Sequence, residues 1–317
     1  MRSGAALALL AGLVASPAFA AGEPAARAVK VTVLSTMLAD TDGMGEWGFA
    51  ALVEVDGYRL LFDTGARPET VLRNAEELKV DLRGIADVVL SHNHDDHTGG
   101  LLTLRRALGA ASAETLSRAH VAPGILLPRS GGGGTNRMMA LRDAYEESGA
   151  RLVEHVKAES IAPGVWLTGP VPRRHPERNY PAGSRIVTAD GAMEDTIPED
   201  QSLVVRAGEG LVVVTGCGHA GIGNILAQAR AIVPDVPVRA VVGGLHLLDA
   251  DEKTLAWTAD RMREAGMTHL LGAHCTGIEA VYRLRSLLGL DRRSAVVGAV
   301  GSSYSSASGI DPRWLAR

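Results

Sequence analysis

The chain of 317 residues is poor in aromatic side chains and carries little net charge. Phe, Trp and Tyr together make up 4% of it, so the aromatic platforms that bind single-stranded nucleic acid are not expected. The formal net charge is −4 and no long run of like charges occurs, which argues against a surface that binds polyanions. We therefore expect a small-molecule substrate, which can be anionic, and no nucleic acid. The sequence leaves the oligomeric state open.

Long apolar runs are also missing. Beyond the N-terminus no segment has some 18 uninterrupted apolar residues, so no stable membrane insertion is expected. Residues 1–20 combine Arg2, a short apolar stretch and the small-residue ending "AFA", which is typical of a signal peptide cleaved after Ala20. A membrane anchor is the weaker alternative because the stretch is short. The sequence predicts a periplasmic or secreted protein whose mature part, 21–317, is one domain, since no convincing linker divides it.

Cysteine is scarce, with only Cys217 and Cys275 in the chain. An oxidising compartment permits one disulfide between them, but the sequence alone does not say whether they meet. Both cysteines stand close to histidines in the sequence. A role near a functional site therefore competes with a structural bridge.

Several signatures of enzyme chemistry are absent, including the P-loop and the G-x-S-x-G nucleophile elbow. "GCGHAG" (216–221) does match G-x-G-x-x-G, and it stands between an expected strand and an expected helix, as a dinucleotide-binding turn does. A dinucleotide-binding site also requires an acidic residue at the end of the next strand. Here that strand ends in "GGLH" and Asp235 precedes it, so a dinucleotide site is the weaker alternative.

Strand and helix patterns alternate along the chain and indicate an α/β fold. "VKVTVLST" (29–36) predicts a strand, and 48–65 predicts a hairpin that turns at Asp56-Gly57. The segment 109–200 is less regular, with loops expected at 129–137 and 169–183. Further strands are expected at 85–91, 203–207, 211–215, 238–242 and 268–272, and helices at 69–79, 98–108, 221–232, 251–265 and 276–288.

The stretch "SHNHDDHTGG" (91–100) concentrates ligand-type side chains where a buried strand ends. His92 and His94 are two residues apart, so on an extended segment they point the same way and can hold one ion. Asp96 and His97 come where the chain should turn into a helix, so they can serve a second ion nearby. Imidazole and carboxylate together suit zinc and similar divalent ions. A polar turn with hydrogen-bonded histidines is the alternative, and four ligand-type residues at this spacing argue against it.

Three more histidines, His219, His246 and His274, each follow an apolar strand. The ends of strands in an α/β sheet converge on one rim, where sites usually form, so these histidines are candidates for the remaining ligands. The other internal histidines lack this context and are expected to be core or surface residues: His120, His155, His175 and His269.

With these residues in view, "SHNHDDHTGG" resembles the H-x-H-x-D-H signature of the metallo-β-lactamase fold superfamily, and "LFDTG" resembles its upstream motif, which contains Asp63. The set "DDHTGG", "GCGHAG", "GGLHL" and "HCTG" is similar to the branch related to the dihydropterin–aminobenzene phosphate synthases of the methanopterin pathway. "LTGPVPR" (167–173) and "EDQSLVV" (199–205) fit that branch too. The resemblance covers about residues 29–304. It implies a four-layer αβ/βα sandwich with metal ions at one edge.

The resemblance also implies a ligand set, carried over residue by residue. In it, Asp63 supports the metal-ligand loop. Many members place a bridging aspartate where this chain has Cys217, so either the thiolate is a ligand, or water bridges alone, or occupancy by two ions is weaker. His246 has no ligand counterpart in the commoner members and is assigned to substrate contact or the outer shell. The implied ligands are His92, His94 and His219 for one ion and Asp96, His97 and His274 for the other.

The expected cofactors are two divalent ions, zinc first, with manganese or iron as alternatives. Such a pair can share a hydroxide, because bound water loses a proton near neutral pH, and can stabilise a developing oxyanion. Asp96 and Asp95 are the candidate catalytic carboxylates; Asp95 either orients water or a histidine, or is a solvated turn residue. Arg173 and Arg174 either pair with an anionic substrate or form an ordinary exposed basic pair. Asp200, in "EDQSL", matches the pattern of the resembled branch, but the sequence gives no physical reason for its role.

Three function classes follow from this pattern. The first is a metal-dependent hydrolase of a phosphate ester, phosphodiester or cyclic ester. The second is the transferase activity of the resembled branch, against which the expected export argues. The third is a non-catalytic metal-dependent binding protein, against which the complete ligand sets argue.

Overall fold

The computed structural model describes residues 25–130 and 136–315. The expected signal peptide lies outside these residues, and so does most of the loop expected at 129–137. Within the described ranges no helix is both long and apolar enough to cross a bilayer.

Short strands and helices alternate through the described residues. The strands are β1 (Val29–Ser35), β2 (Ala50–Val55), β3 (Tyr58–Phe62), β4 (Asp87–Val89), β5 (Arg118–Val121), β6 (Arg129–Ser130), β7 (Arg151–Glu154), β8 (Glu159–Ala162), β9 (Val165–Leu167), β10 (Arg185–Thr188), β11 (Gly191–Glu194), β12 (Leu203–Ala207), β13 (Gly210–Thr215), β14 (Val238–Gly243), β15 (His269–Gly272), β16 (Ala295–Val297), β17 (Ser303–Ser305) and β18 (Gly309–Asp311). The helices are α1 (Thr70–Glu77), α2 (Asp95–Thr98), α3 (Leu101–Gly109), α4 (Met138–Glu147), α5 (Ile222–Ile232), α6 (Glu252–Ala265) and α7 (Ile278–Leu288), with one 3₁₀ turn at His274–Thr276.

Two large sheets carry the fold. One has the strand order β18-β17-β1-β2-β3-β4-β5-β7, and the other has the order β16-β15-β14-β13-β12-β9-β8. Each contains a run of parallel strands: β3, β4, β5 and β7 in the first, and β13, β14, β15 and β16 in the second. Parallel neighbours need crossover connections, and helices supply them: α1, then α2 with α3, then α4 in the first sheet, and α5, α6 and α7 in the second. A small sheet, β11-β10-β6, lies in the middle of the chain.

Apolar side chains form three cores, which define the layers. The core between the sheets joins Phe62 of β3 to Val214 of β13. An outer core packs Leu104 of α3 against the first sheet, and another packs Ile225 of α5 and Met262 of α6 against the second. The layers are helices, sheet, sheet and helices. This arrangement confirms the predicted four-layer αβ/βα sandwich.

The predicted elements correspond to the observed ones, with differences at the ends. The hairpin turns at Asp56 and Gly57 as expected, with φ of 47° and 92° at these two residues. The helix expected at 98–108 corresponds to α3, and the short helix α2 precedes it, separated from it by Gly99 and Gly100. A Cβ on Gly99 would lie 1.9 Å from the Ala66 carbonyl oxygen, so only glycine lets this turn pack against the loop after β3. The segment 109–200 is more regular than predicted, because it contains β5 to β11 and α4, and Arg129–Ser130 belongs to β6 rather than to a loop.

Candidate metal centre

The predicted site residues follow the carboxyl ends of strands in both sheets. Asp63 comes directly after β3, and residues 92–97 come shortly after β4. Cys217 and His219 follow β13 in the second sheet. His246 and His274 follow β14 and β15 in the same way. Carboxyl ends of parallel strands share an edge, and here the edges of the two sheets meet at one rim of the sandwich.

The first predicted ligand set is brought together. The ring centroids of His92 and His94 are 4.5 Å apart, as the i and i+2 spacing predicted. His219 joins them from the other sheet, with its ring 4.7 Å from that of His92 and 5.0 Å from that of His94. Three imidazoles from two sheets therefore face one small volume.

The second predicted set is also assembled. Asp96 Oδ2 lies 3.2 Å from Nε2 of His274, and Asp96 Oδ1 lies 3.9 Å from Nε2 of His97. The rings of His97 and His274 are 5.0 Å apart. The rings of His92 and His97 are 4.2 Å apart, so the two sets adjoin each other.

Hydrogen bonds on Nδ1 orient the rings. Asp63 Oδ2 lies 2.7 Å from Nδ1 of His97 and also accepts the Ser91 hydroxyl at 2.7 Å. Because the Ser91 hydroxyl donates to Asp63, it is left to accept from Nδ1 of His92 at 2.9 Å. Nδ1 of His219 contacts the Asn179 carbonyl oxygen. In each ring this arrangement leaves Nε2 as the available ligand atom.

The Nε2 atoms of His92 and His219 fit a cation. Burial, helped by the neighbouring imidazoles, lowers the pKa of both rings well below 6.5, so both are neutral at pH 7. Neutral imidazole is the form that binds metal. Both Nε2 atoms are buried, and neither has a hydrogen-bond partner in the part of the chain that the structure describes. Buried polar atoms are normally satisfied, so a bound ion would supply the missing partner.

Charge is concentrated at the second set. Burial would raise the pKa of Asp96, but His97 and His274 hold it below its usual range, so the carboxylate is ionised. Burial would lower the pKa of His97, but the carboxylates of Asp63 and Asp96 raise it to about 9. Binding of a metal through Nε2 of His97 therefore requires a proton to leave.

Cys217 lies between the two sets. Its sulfur is 3.1 Å from Nε2 of His97. Ligand atoms of His92, Cys217 and His219 all lie within 4.8 Å of one another, and so do those of His97, Cys217 and His274. The resemblance left open whether the Cys217 thiolate is a metal ligand or a residue of the outer shell or substrate contact. The structure puts its sulfur among the ligand atoms and so favours the thiolate-ligand alternative.

Glycine at position 216 makes this arrangement possible. A Cβ there would lie 2.0 Å from the Ser91 hydroxyl and 2.6 Å from Asp63 Oδ2. The chain before Cys217 must pass directly over the side chains that orient His92 and His97. A side chain at this position would push the two sheets' loops apart.

Asp95, a candidate catalytic carboxylate, pairs with an arginine at the protein surface. Its carboxylate is exposed and lies 3.1 Å from the guanidinium of Arg137, the residue directly before α4. No ion pair with a histidine is found for it among the described residues. The geometry favours the alternative that Asp95 is a solvated turn residue, and leaves Asp96 as the carboxylate at the centre.

Arg173 and Asp200 support the His219 loop. One Arg173 nitrogen donates to the His219 carbonyl at 2.7 Å and another donates to the Ile197 carbonyl at 3.1 Å. Since backbone oxygens engage its guanidinium, Arg173 is neither an exposed basic residue nor free to pair with a substrate, and instead it holds this loop. Asp200 accepts the Ala220 N–H at 3.0 Å, and burial raises its pKa to about 7. Arg174 is exposed, as the basic-pair alternative expects.

The structure argues against a dinucleotide site at "GCGHAG". "GCGHAG" does form the turn between β13 and α5. However, the Glu177 carboxylate accepts the N–H groups of Gly223 and Asn224 at 3.1 and 3.0 Å. A side chain thus takes the helix N-terminus that would receive a pyrophosphate.

Several residues of the site had no signal in the sequence. Ser91 and Asn179 orient ligands, and Trp47 places its ring 4.8 Å from that of His274 while 49% of the residue is exposed. Arg129 forms buried ion pairs with Asp195 and Glu199 at 2.7 and 2.6 Å, beside the ligand loop. Only the position of Ser91, directly before the histidine motif, offered a clue.

Comparison with known proteins agrees with this architecture. The family model of the metallo-β-lactamase superfamily matches residues 48–226, more than half of the chain. The chain belongs to the metallo-β-lactamase superfamily. The resemblance predicted from the histidine motif is thereby confirmed, and the divalent metal binding of that fold suits the rim described above.

Among curated relatives, this superfamily member is similar to the 7,8-dihydropterin-6-methyl-4-(β-D-ribofuranosyl)-aminobenzene-5'-phosphate synthase of Methanocaldococcus jannaschii. The two are 28% identical over 249 residues, which cover 74% of this chain and 82% of the relative. Among solved structures, it is similar to Tm1679, a metal-dependent hydrolase of the β-lactamase superfamily, with 30% identity, a TM-score of 0.65, and coverage of 82% and 93% of the two chains. Zn²⁺-bound PqqB from Methylobacterium extorquens shares the fold at 15% identity, with a TM-score of 0.54 and coverage of 86% and 99%.

Proposed function

We propose that the protein is a metal-dependent hydrolase of a phosphate ester, phosphodiester or cyclic ester. The observation that carries the proposal is the convergence of the two ligand sets, with buried and unpartnered Nε2 atoms on His92 and His219. Structural similarity to the hydrolase Tm1679 supports the reaction class. We take zinc as the first candidate for both ions, because imidazoles dominate the donors.

In this proposal each residue has a defined task. His92, His94 and His219 hold one ion, and Asp96, His97 and His274 hold the other. Divalent ions bound there would make water a nucleophile at neutral pH and stabilise negative charge on the substrate oxygen.

The surrounding residues hold these ligands in place. Asp63 and Ser91 fix the rings of His97 and His92 through Nδ1, so that Nε2 faces the ion. Trp47, half-exposed beside His274, offers an apolar wall against which part of the substrate can pack.

Metal analysis and a substrate panel test the proposal. Protein loaded with zinc, and in parallel with manganese or iron, is offered phosphomonoesters, phosphodiesters, lactones and β-lactams. We expect turnover of a phosphate ester, phosphodiester or lactone, and at least a 100-fold loss of turnover in His92→Ala, because catalysis needs the ion that this ring helps to hold. His269→Ala is the control, since His269 lies at the opposite end of β15. Full activity in His92→Ala, or in protein stripped of metal, would refute the proposal.

A second candidate is a transferase that joins a dihydropterin to a ribofuranosylaminobenzene phosphate. The 28% identity to the M. jannaschii synthase favours it. The two candidates differ in the nucleophile: water in the hydrolase, and in the transferase the amine nitrogen of the aminobenzene, which would displace diphosphate from the methyl group of a pterin diphosphate. Incubation with both pterin and aminobenzene substrates would give a joined product only if the transferase candidate is correct. Free hydrolysis products from simple esters would support the hydrolase.

We also propose that the protein is exported, on the basis of the sequence pattern of residues 1–20. N-terminal sequencing of the protein recovered from a bacterial host tests this. A chain that begins at Ala21 and is released with the periplasmic fraction is the expected result. A cytoplasmic chain that retains residues 1–20 would contradict export and would remove the argument against the transferase.

A further inference from the structure

A third group of ligand-type side chains lies beside the two predicted sets. It consists of Cys217, His246 and Cys275, which we call the thiol–imidazole cluster. Their ligand atoms all lie within 4.8 Å of one another. The cysteines are buried, with 2% of each exposed, and both thiols are free. The proposed hydrolase needs neither His246 nor Cys275, so their placement calls for a separate explanation.

The backbone is shaped to bring these three side chains together. The N–H groups of Leu247 and Leu248 both donate to the Cys275 carbonyl, at 3.1 and 3.2 Å, which ties the loop after β14 to the loop after β15. A Cβ on Gly244 would lie 2.9 Å from the Cys275 sulfur and 2.2 Å from the Gly216 carbonyl oxygen. Glycine is therefore required where the loops after β13, β14 and β15 meet.

His246 is held in an unusual conformation. Its φ is 49°, in the left-handed region that residues other than glycine seldom adopt. Backbone strain of this kind clusters at functional sites. Its Nδ1 atom is buried and has no hydrogen-bond partner among the described residues. A buried, unpartnered nitrogen on an imidazole that also has a ring nitrogen within 4.8 Å of two sulfur atoms is the observation that points to a ligand.

Two simpler explanations fit these contacts less well. Buried cysteines often act as small apolar side chains, but apolar packing leaves the Nδ1 atom of His246 unsatisfied. A disulfide between Cys217 and Cys275 would leave the same nitrogen without a partner. A cation satisfies all three groups at once.

We propose that Cys217, His246 and Cys275 form a further ion position, for a thiophilic divalent ion such as Zn²⁺. Two thiolates and one imidazole supply three corners of a tetrahedron, which suits zinc and disfavours magnesium, calcium and manganese. Zn²⁺ binds cysteine as thiolate and histidine as neutral imidazole, so binding releases the protons that the thiol–imidazole cluster carries. The inference rests on the proposed function in one respect: Cys217 is shared with the two neighbouring ligand sets.

Metal counting tests the position directly. The full-length protein, purified with reductant, is loaded with Zn²⁺, freed of excess ion by gel filtration and analysed for zinc per chain. We expect Cys275→Ser and His246→Ala each to bind about one ion fewer than the unchanged protein, since each removes one of three ligands. His269→Ala is the matched histidine control and should retain every ion. Circular dichroism and thermal unfolding confirm that each variant is folded.

Co²⁺ gives a second readout that does not depend on activity. Thiolate bonded to Co²⁺ absorbs in the near ultraviolet. Cys275→Ser should lose at least half of that absorbance, because the Cys275 thiolate is gone and Cys217 can then bind only the ions of the neighbouring ligand sets. Equal zinc counts and equal absorbance in all proteins would overturn the inference. A protein that has no titratable thiols before reductant is added, with a zinc count unaffected by His246→Ala, would reveal a disulfide and would also overturn it.

The two proposals fail in distinguishable ways. If His92→Ala loses zinc and Cys275→Ser does not, the further ion position is wrong and the hydrolase centre stands. If the unchanged protein binds no zinc, the further ion position is wrong, and the hydrolase stands only if the two predicted ligand sets bind manganese or iron. If His92→Ala and Cys275→Ser each lose zinc, both ligand groups bind metal.

Discussion

At the scale of single residues, Asp63 shows how one side chain prepares two ligands. It accepts the Ser91 N–H and the Ser91 hydroxyl, each at 2.7 Å, and faces Nδ1 of His97 at the same distance. The carboxylate therefore orients His97 directly and His92 through Ser91. Its φ of 55° lies in the left-handed region, which Asp and Asn tolerate better than most residues.

We predict that Asp63→Asn lowers zinc affinity about 10- to 100-fold while the protein stays folded, the usual effect of losing an orienting carboxylate. Asparagine tolerates the same backbone conformation. Its amide, however, has one acceptor oxygen, whereas the two oxygens of Asp63 together accept hydrogen bonds from Ser91 and His97. Competition with a chromophoric chelator measures the affinity. Asp249→Asn, an exposed carboxylate near the same rim, is the control. Equal zinc affinities of the two variants would show that Asp63 does not orient the ligand histidines.

At the scale of secondary-structure elements, a chain of polar side chains joins the two sheets at one edge. Asp87 of β4 contacts Nε2 of His120 at 2.9 Å, and Nδ1 of His120 contacts Nε2 of His155 at 2.8 Å. Nδ1 of His155 contacts Glu159 of β8 at 2.8 Å. Arg118 adds a bidentate pair to Asp87. His120 and His155 are thus core residues, as predicted, and they link β4 and β5 of the first sheet to β8 of the second.

We predict that Asp87→Asn lowers the free energy of unfolding by about 3 kcal/mol at pH 7, since it leaves the buried ring of His120 and the partly buried guanidinium of Arg118 poorly paired. Burial would raise the pKa of Asp87, but those two residues hold it below the ordinary value of 3.8. In acid the unfolded chain therefore binds more protons than the folded one. The stability that the carboxylate contributes is present above pH 3.8 and is lost as the pH falls below it.

Urea unfolding at several pH values measures this effect. The difference in free energy of unfolding between Asp87→Asn and the unchanged protein should become smaller below about pH 4. At that pH the Asp87 carboxyl of the unfolded chain takes up its proton. Asp190→Asn, an exposed carboxylate, is the control and should differ little from the unchanged protein at any pH. A difference that stays constant down to pH 2 would contradict the assignment.

At the scale of the whole molecule, the core between the sheets holds the two halves of the candidate centre together. His92, Asp96 and His97 follow β4 of the first sheet, the last two on α2, whereas His219 and His274 follow β13 and β15 of the second sheet. No single sheet carries either complete ligand set. The distances at the rim therefore depend on how the apolar faces of the two sheets pack.

We predict that Leu203→Ala, in this shared core, lowers the free energy of unfolding by about 2–5 kcal/mol in one cooperative transition. Leu203 is fully buried in the core between the sheets, whereas Leu248 is 54% exposed, so Leu248→Ala should cost less than about 1 kcal/mol. Thermal and urea unfolding, followed by circular dichroism and by tryptophan fluorescence, measure both. Separate transitions for the two probes in Leu203→Ala would show that the sheets unfold independently.

The amino-acid sequence by itself determined the fold and the candidate ligands. The spacing of His92 and His94 set their common direction, because alternate residues on an extended segment share a side. The histidines after β13 and β15 were predictable for a related reason, since carboxyl ends of parallel strands meet at one edge. The hairpin turn at Asp56 followed from local turn chemistry. All of these signals act over a few residues or over a repeated pattern.

Only the tertiary structure decided the partners of individual side chains. It placed the Cys217 sulfur among the ligands, paired Asp95 with Arg137, and turned Arg173 toward the His219 carbonyl. It also brought His246 and Cys275 together. The physical reason is that these contacts join residues far apart in the chain, on loops of different strands. Their distances are set by the packing of two sheets, which no local pattern encodes.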